Sequence, residues 1–245
     1  MTLPAFQQAL CELIGSPDLC LAVRENPAAF LASYDLSPRE RDRLVDIVWQ
    51  RGMSTSCTLY RSNRVTPIYT LLHYTCVVLG DTLKTTLDAY WSATTLHDLE
   101  FKEEIRRFGR FLDDQIARGV IDDPFVAEVL EFELAVNDLR FAPRRAILRQ
   151  LAAAPPSNTG DDGRGHPLMR VVRFRHEPAP LLAALAQGRV ARELPEAETF
   201  LLLSVADDEL TTRELDPQSG RHLWQLQRDA AAPSDEPVPT PASTG

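Results

Sequence analysis

The stretch from Cys57 to Trp91 constrains the fold more than any other part of the sequence, because it is a long apolar run with a polar insert near its start. Toward its end, Leu79, Leu83, Leu87 and Tyr90 recur at spacings of three and four residues. That period places them on one face of a helix and points them toward a core. The stretch is therefore predicted to be helical, with one side buried.

The polar insert consists of four residues: Tyr60, Arg61, Asn63 and Arg64. Arg61 and Arg64 are three apart, so they share a face of a helix. A basic pair beside an asparagine and a tyrosine can bind a carboxylate or a peptide backbone. The alternative interpretation is an ion pair with acidic neighbours such as Glu103 or Glu104, since most arginine pairs on helices have a structural role.

Helix-start signals recur before this stretch, at Ser16-Pro17, Asn26-Pro27 and Ser37-Pro38. Each pairs an N-cap residue with proline at the first helical position. Glu40 stands three residues after Ser37 and completes a capping box. These starts predict short helices at angles to each other, the third ending near Gly52.

Helical signals continue after the central stretch, which Pro67 should kink or restart and Gly80 should break. Further helices are predicted from Leu96 to Gly119 and from Asp123-Pro124 onward, and a short last one is predicted from Pro143 to about Leu151. Residues 1–151 are therefore predicted to form one multi-helix domain.

The pattern changes after residue 151. Residues 152–165 are rich in proline and glycine and are predicted to be a linker. Residues 166–228 then show the period of strands, and they predict a small α+β module with a roughly three-stranded sheet. Residues 229–245 are predicted to be a disordered tail. The fold class is thus mainly α. The predicted elements of the module are a strand Leu168–Arg175, a helix Pro178–Gln187, strands Thr199–Val205 and Glu209–Leu215, and a helix Gly220–Arg228.

Charge and composition exclude some partners. The net charge of −9 makes nucleic-acid binding through the global field a poor expectation. No run approaches the length of a membrane span, and the first residues lack a secretory signal, so no membrane is expected. The four cysteines show no metal-binding spacing and are interpreted as reduced thiols of a cytoplasmic protein.

The sequence lacks the common catalytic motifs: it has no G-x-S-x-G, no P-loop and no G-x-G-x-x-G. His97 with Glu100 is the nearest approach to a metal motif, but the order is reversed and it occurs once. Glu128, Glu131 and Glu133 are expected to face water or to pair with nearby arginines. No catalytic, cofactor-binding or metal-binding residue is predicted, and the chain is not expected to be an enzyme on its own.

Three segments carry a resemblance to known proteins: RGMSTSCTLYRSNR at Arg51–Arg64, EVLEFELA at Glu128–Ala135, and HPLMRVVRFRHEP at His166–Pro178. Together they resemble the partner subunits of multinuclear non-haem iron oxidases that modify ribosomally made peptides, such as the C component of methanobactin biosynthesis. The chain is also similar to a wider helical family described as putative DNA-binding, which has a Y-R-x-N motif where this chain has Tyr60–Asn63. Where that family has an F-P pair after the long helix, this chain has Tyr74-Thr75.

The resemblance implies a non-catalytic subunit that forms a heterodimer with an iron oxidase and recruits its precursor peptide. Iron is then expected in the partner, with no cofactor in this chain. The insert of Tyr60, Arg61, Asn63 and Arg64 is predicted to contact that partner. The alternatives are a DNA-associated regulator, using a basic stripe of Arg39, Arg41, Arg43 and Arg51, and a small structural subunit of a dioxygenase, which the segment Pro27–Glu40 resembles.

The predicted peptide site is an edge of the small sheet, because an edge strand presents unpaired N–H and C=O groups to an extended peptide. The favoured edge comprises Arg170, Val171, Val172, Arg173, Phe174 and Arg175. Its arginines are expected to attract acidic residues of the leader, whereas Asp207 and Asp208 flank the strand Glu209–Leu215 and would repel them. The alternative is that these arginines only solvate an exposed strand.

Overall fold

A computed structural model describes residues 3–94, 100–142, 169–206 and 209–231. The fold is mainly helical and has a three-stranded antiparallel sheet toward its C-terminal end, as the sequence predicts. The chain divides into two compact units. The first comprises residues up to Leu134 together with Leu182–Ala191, and the second comprises Ala135–Leu181 and residues from Arg192 onward.

The first unit begins with four short helices: α1 Leu3–Gly15, α2 Pro17–Glu25, α3 Pro27–Leu31 and α4 Pro38–Trp49. The predicted starts of α2, α3 and α4 are confirmed. The side chains of Ser16 and Asn26 accept hydrogen bonds from Leu19 N and Ala29 N. Ser37 and Glu40 form the full capping box. A buried core lies among these helices and the start of α5; it includes Leu13, Val23, Leu31, Leu44, Val48 and Met53.

The long helix α5 runs from Arg51 to Leu71. Gly52 is therefore in its first turn, and the prediction that Gly52 stops α4 is wrong: the break falls at Gln50, whose extended backbone (ψ 143°) cannot continue a helix. Pro67 lies buried inside α5 without ending it, and the chain interrupts its helix at Leu72 (φ −121°, ψ 43°).

After that break come α6 His73–Leu79, a 3₁₀ turn Gly80–Thr82, and α7 Leu83–Ala93. Gly80 has φ +49°, a conformation that glycine adopts without strain, so the predicted break at this residue is confirmed. Two further helices follow, α8 Phe101–Ala117 and α9 Pro124–Arg140. The predicted start at Asp123 is also confirmed, because its carboxylate accepts a hydrogen bond from Phe125 N at 3.0 Å.

The strands of the module are β1 Met169–His176, β2 Glu196–Ala206 and β3 Glu209–Leu215, in the order β1-β2-β3. Both pairs are antiparallel, with Val171 opposite Leu202 and Leu202 opposite Arg213. Between β1 and β2 lies α10, Pro178–Leu185, which is followed by Gly188 at φ +70°. The predicted strand β3 has the observed bounds, and β1 is displaced by one residue from the prediction.

The last helix, α11, runs from Pro217 to Ala231 and packs on β1 and β2. It begins three residues before the predicted start and continues through 229–231, so the prediction of disorder from residue 229 is wrong there. The tail beyond Ala231, the linker 152–165 and the short helix predicted at 143–151 lie outside the described residues. The boundary between the compact units falls inside α9, at Leu134–Ala135.

Close packing of α11 on the sheet depends on Gly220. A Cβ at this position would lie 2.4 Å from Cβ and 2.5 Å from Cγ of Phe200. Phe200 is 1% exposed and lies on a central strand, so it has no room to withdraw. The absence of a side chain at residue 220 therefore sets the distance between the helix and the sheet.

We predict that Gly220→Ala lowers the free energy of unfolding by about 1–3 kcal/mol, the usual cost of overpacking a core. The matched control is Gly52→Ala, where a Cβ would meet nothing within 4 Å. That control should stabilise the protein by about 0.5–1 kcal/mol, because alanine is the better helix former. Urea denaturation followed by circular dichroism measures both, and equal effects of the two variants would contradict this account of α11.

Candidate functional site

Arg64, in the polar insert, is buried in the first unit, with 2% of its side chain exposed. Its Nε donates a hydrogen bond of 2.9 Å to Oε1 of Glu104 on α8, whose side chain is equally buried. The guanidinium carbon lies 5.1 Å from the ring centroid of Tyr90 and 5.8 Å from that of Tyr60. We call Tyr60, Arg64, Tyr90 and Glu104 the Arg64 cluster. For Arg64, the structure thus shows the ion pair that was the alternative interpretation.

The Arg64 cluster also changes the acidity of its tyrosines. Burial raises the pKa of Tyr90 to about 12, and the charge of Glu104 adds to the effect while Arg64 opposes it. Burial likewise raises the pKa of Tyr60. Both hydroxyls therefore stay protonated at neutral pH, and the cluster holds one positive and one negative charge among aromatic rings.

The other residues of the insert are more accessible than Arg64. Asn63 is exposed, while Tyr60 and Arg61 are half-buried. The guanidinium of Arg61 lies 5.1 Å from the ring of Trp91, and Tyr60 packs near Gly15 at the end of α1. The predicted partner contact stays a prediction. The side chains with surface to offer it are Asn63, Arg61 and the edge of Tyr60.

The structure exposes only part of the basic stripe that the DNA-binding alternative would use. Arg41 is half-buried, and its guanidinium donates to the backbone carbonyls of Leu36 and Tyr34 at 3.2 and 3.4 Å. Arg39, Arg43 and Arg51 are exposed, but Asp42 and Asp46 are exposed on the same helix as the first two. This surface lacks the uniform positive charge that binding to several phosphates requires.

Glu133, expected to face water or to pair with an arginine, does not face water, because it is 7% exposed. Its two carboxylate oxygens accept hydrogen bonds from Tyr74 N at 2.7 Å and Thr75 N at 2.8 Å, in the first turn of α6. These are the N–H groups that a helix start leaves unpaired, so Glu133 caps α6 from another helix. Burial outweighs the two bonds and raises the pKa of Glu133 to about 7.

The predicted peptide-binding residues occupy both faces of β1 in the second unit. Val172 and Phe174 are fully buried, and Val171 is 5% exposed. Arg173 is 2.8 Å from Glu198, and its guanidinium lies 5.4 Å from the ring of Trp224 on α11. These four side chains pack within the protein, so a docking peptide would meet mainly the backbone of β1.

Two arginines of β1 remain near the surface. Arg170 lies 3.9 Å from Asp138, and Arg175 is exposed. Because Arg170 and Arg173 have acidic neighbours within the unit, attraction of acidic peptide residues falls mainly to Arg175 and to the exposed Arg228 of α11, which lies 4.8 Å from the ring of Trp224. The peptide-binding role of β1 stays a prediction.

Among the described residues β1 is an edge strand of the sheet, and a side chain binds its outer side at Val171. Val171 N donates to Oε1 of Gln227 at 3.0 Å, and Nε2 of Gln227 donates to the carbonyl of Val171 at 3.2 Å. Both backbone groups of Val171 therefore point away from β2. Since the direction alternates along an antiparallel strand, those of Arg173 point outward too, and those of Val172 and Phe174 point to β2. The pairing with β2 is regular as far as Phe174 and shifts at a bulge between Phe174 and His176, where Arg175 lies.

Within residues 3–94, 100–142, 169–206 and 209–231, no group of three His, Cys, Asp or Glu side chains lies close enough to hold a metal ion. His97 of the nearest sequence motif lies outside this set. In the same ranges, no helix combines the length and apolarity needed to cross a membrane.

Sequence reasoning missed Glu133, Gln227 and Gly220. Each acts on a residue at least 20 positions away in the sequence, so no local pattern could reveal it.

Comparison with family models and with curated proteins finds no match to this chain.

We predict that breaking the Arg64–Glu104 pair is costly. Glu104→Ala leaves a buried, uncompensated guanidinium and should lower the free energy of unfolding by about 3–5 kcal/mol. Arg118→Ala, which removes an exposed pair with Asp114, is the control and should cost at most about 1 kcal/mol. The double variant Arg64→Met with Glu104→Leu should recover most of the loss. Chemical denaturation measures all three, and an equal loss in Glu104→Ala and Arg118→Ala would refute the structural role.

We also predict a pH dependence from Glu133. Its folded pKa of about 7 lies above the ordinary 4.5, so between these values the folded protein holds a proton that the unfolded chain has lost. Stability should therefore fall as pH rises through this window, by up to about 3 kcal/mol. Glu133→Gln should remove this slope, whereas Glu12→Gln should retain it. Identical pH profiles for the parent and Glu133→Gln would contradict the assignment.

Proposed function

We propose that this chain is a non-catalytic partner subunit of an iron-dependent oxidase that modifies a ribosomally made peptide, and that it recruits the precursor peptide. The observation that carries the proposal is the small sheet in which β1 is an edge strand within the described residues and the backbone of Val171 already binds an amide. Edges of this kind bind extended peptides through main-chain hydrogen bonds. The resemblance of Arg51–Arg64 and His166–Pro178 to such subunits supplies the class of partner.

The partner surface is proposed to lie on α5 around Asn63. Pro67 lacks the N–H that would bond the carbonyl of Asn63 in a regular helix, so Asn63 offers an acceptor on its backbone as well as its side chain. Leu59, one turn earlier, is 59% exposed. The buried ion pair of Arg64 and Glu104 holds this part of α5 in place. The residues of the partner surface therefore keep fixed positions.

The experiment is coexpression of the full chain with the oxidase and the short peptide encoded beside its gene. We expect a stable complex that still contains iron after washing with a chelator. Once the oxidase is removed, the isolated chain should contain no iron. We also expect the complex to bind the leader segment of the peptide. An iron atom retained by the isolated chain, an oxidase that does not associate, or a complex without leader binding would each contradict the proposed function.

We predict that Arg61→Ala combined with Asn63→Ala weakens the complex at least about tenfold, as loss of central interface contacts commonly does. The melting temperature of the isolated chain should fall by only a few degrees, because Asn63 is exposed and the half-buried Arg61 loses mainly its contact with the ring of Trp91, worth about 1 kcal/mol. Arg43→Ala, an exposed residue of α4, is the control and should leave binding unchanged. Isothermal titration against the purified oxidase measures the effect, and a tight complex with the double variant would place the interface elsewhere.

A further inference from the structure

The amide of Gln227 binds β1 in the manner of a neighbouring strand. It accepts from the N–H of Val171 at 3.0 Å and donates to the carbonyl of the same residue at 3.2 Å. In an antiparallel pair, opposite residues exchange these same two bonds. A single side chain thus occupies the place that the backbone of one residue of an added strand would take.

The rest of α11 is fixed, so Gln227 can move without its helix. Gly220 lies against Phe200, and Trp224 lies beside Arg173. Gln227 follows at helical spacing and is half-buried. Its flexible side chain can rotate away from Val171 while the backbone of α11 stays in place, which exposes one N–H and one C=O on the edge.

We propose that Val171 is the primary docking point for the backbone of an extended peptide, and that Gln227 occupies this point until the peptide displaces it. This inference rests on the proposed function and specifies its peptide site. Docking is then an exchange: two hydrogen bonds to the Gln227 amide are replaced by two to a peptide group. Affinity must come from further contacts, at the backbone of Arg173, which also points outward, and at the exposed side chain of Arg175.

In the chain without peptide, the hydrogen bonds from Gln227 to Val171 also protect the edge of the sheet. An edge strand with open N–H and C=O groups can pair with the edge of another copy. Gln227 covers one such position, and Arg173 and Arg175 place charged side chains beside the next ones. The edge is thus covered against pairing with a second copy and remains available to a peptide that makes enough contacts.

The arginines near α11 predict the charge of the peptide side chains that would face this helix. Arg228 is exposed 4.8 Å from the indole of Trp224, and Arg173 lies 5.4 Å from the same ring. Glu198 already pairs with Arg173 and with Arg221. Arg228 and Arg175 therefore favour an acidic side chain on this side of an added strand.

The test uses the full chain and a fluorescent, end-capped synthetic peptide of alternating valine and glutamate. Gln227→Met keeps the length and packing of the side chain but cannot bond to Val171. It should tighten peptide binding by about tenfold, which corresponds to the modest net strength of the two bonds removed from competition. Gln225→Met, on an exposed position of the same helix, is the matched control and should not change the affinity.

Two further measurements separate the outcomes. Without peptide, amide hydrogen exchange at Val171 should accelerate in Gln227→Met, and unchanged exchange would overturn the proposed role of Gln227.

With peptide, Thr212→Pro on β3 should leave binding intact. If Thr212→Pro abolishes binding and Gln227→Met has no effect, the peptide uses β3 and this inference is wrong, although peptide recruitment stands. If no form binds the peptide, the docking point is wrong, whereas the proposed function is refuted only when the complex fails to bind its own leader.

Discussion

The buried pair of Arg64 and Glu104 joins two long helices of the first unit, α5 and α8. Both side chains are 2% exposed, so each charge depends on the other and on the aromatic rings of Tyr60 and Tyr90. The pair fixes the rotation of α5 about its axis. That rotation decides which residues of the polar insert face outward, and it leaves Asn63 at the surface while it buries Arg64.

A second constraint acts at the break between α5 and α6. The chain is interrupted at Leu72, and the first N–H groups of α6 would be buried without partners if Glu133 did not accept from them. Burying a carboxylate is costly, and its raised pKa records that cost. The two constraints thus place ionisable side chains inside the helical unit, where each has a structural role.

The sequence predicted most elements of the fold because their signals are local. The capping box of Ser37 and Glu40, the glycine at residue 80 and the helix start at Asp123 each lie within a few residues of the structure they determine. Gly52 misled the prediction because glycine is tolerated in a first helical turn. For the candidate sites, the sequence found the right segments but not their contacts: the pairing of Gln227 with Val171 depends on how a helix crosses a sheet.

The central claim is that the outward backbone of β1 binds the precursor peptide. Residue-resolved amide exchange of the full chain, with and without the leader of that peptide, tests it most directly. We expect new protection at Arg173, continued protection at Val171, and no change at Val172, whose N–H already points to β2. New protection along β3 instead, or none in the sheet, would contradict the claim.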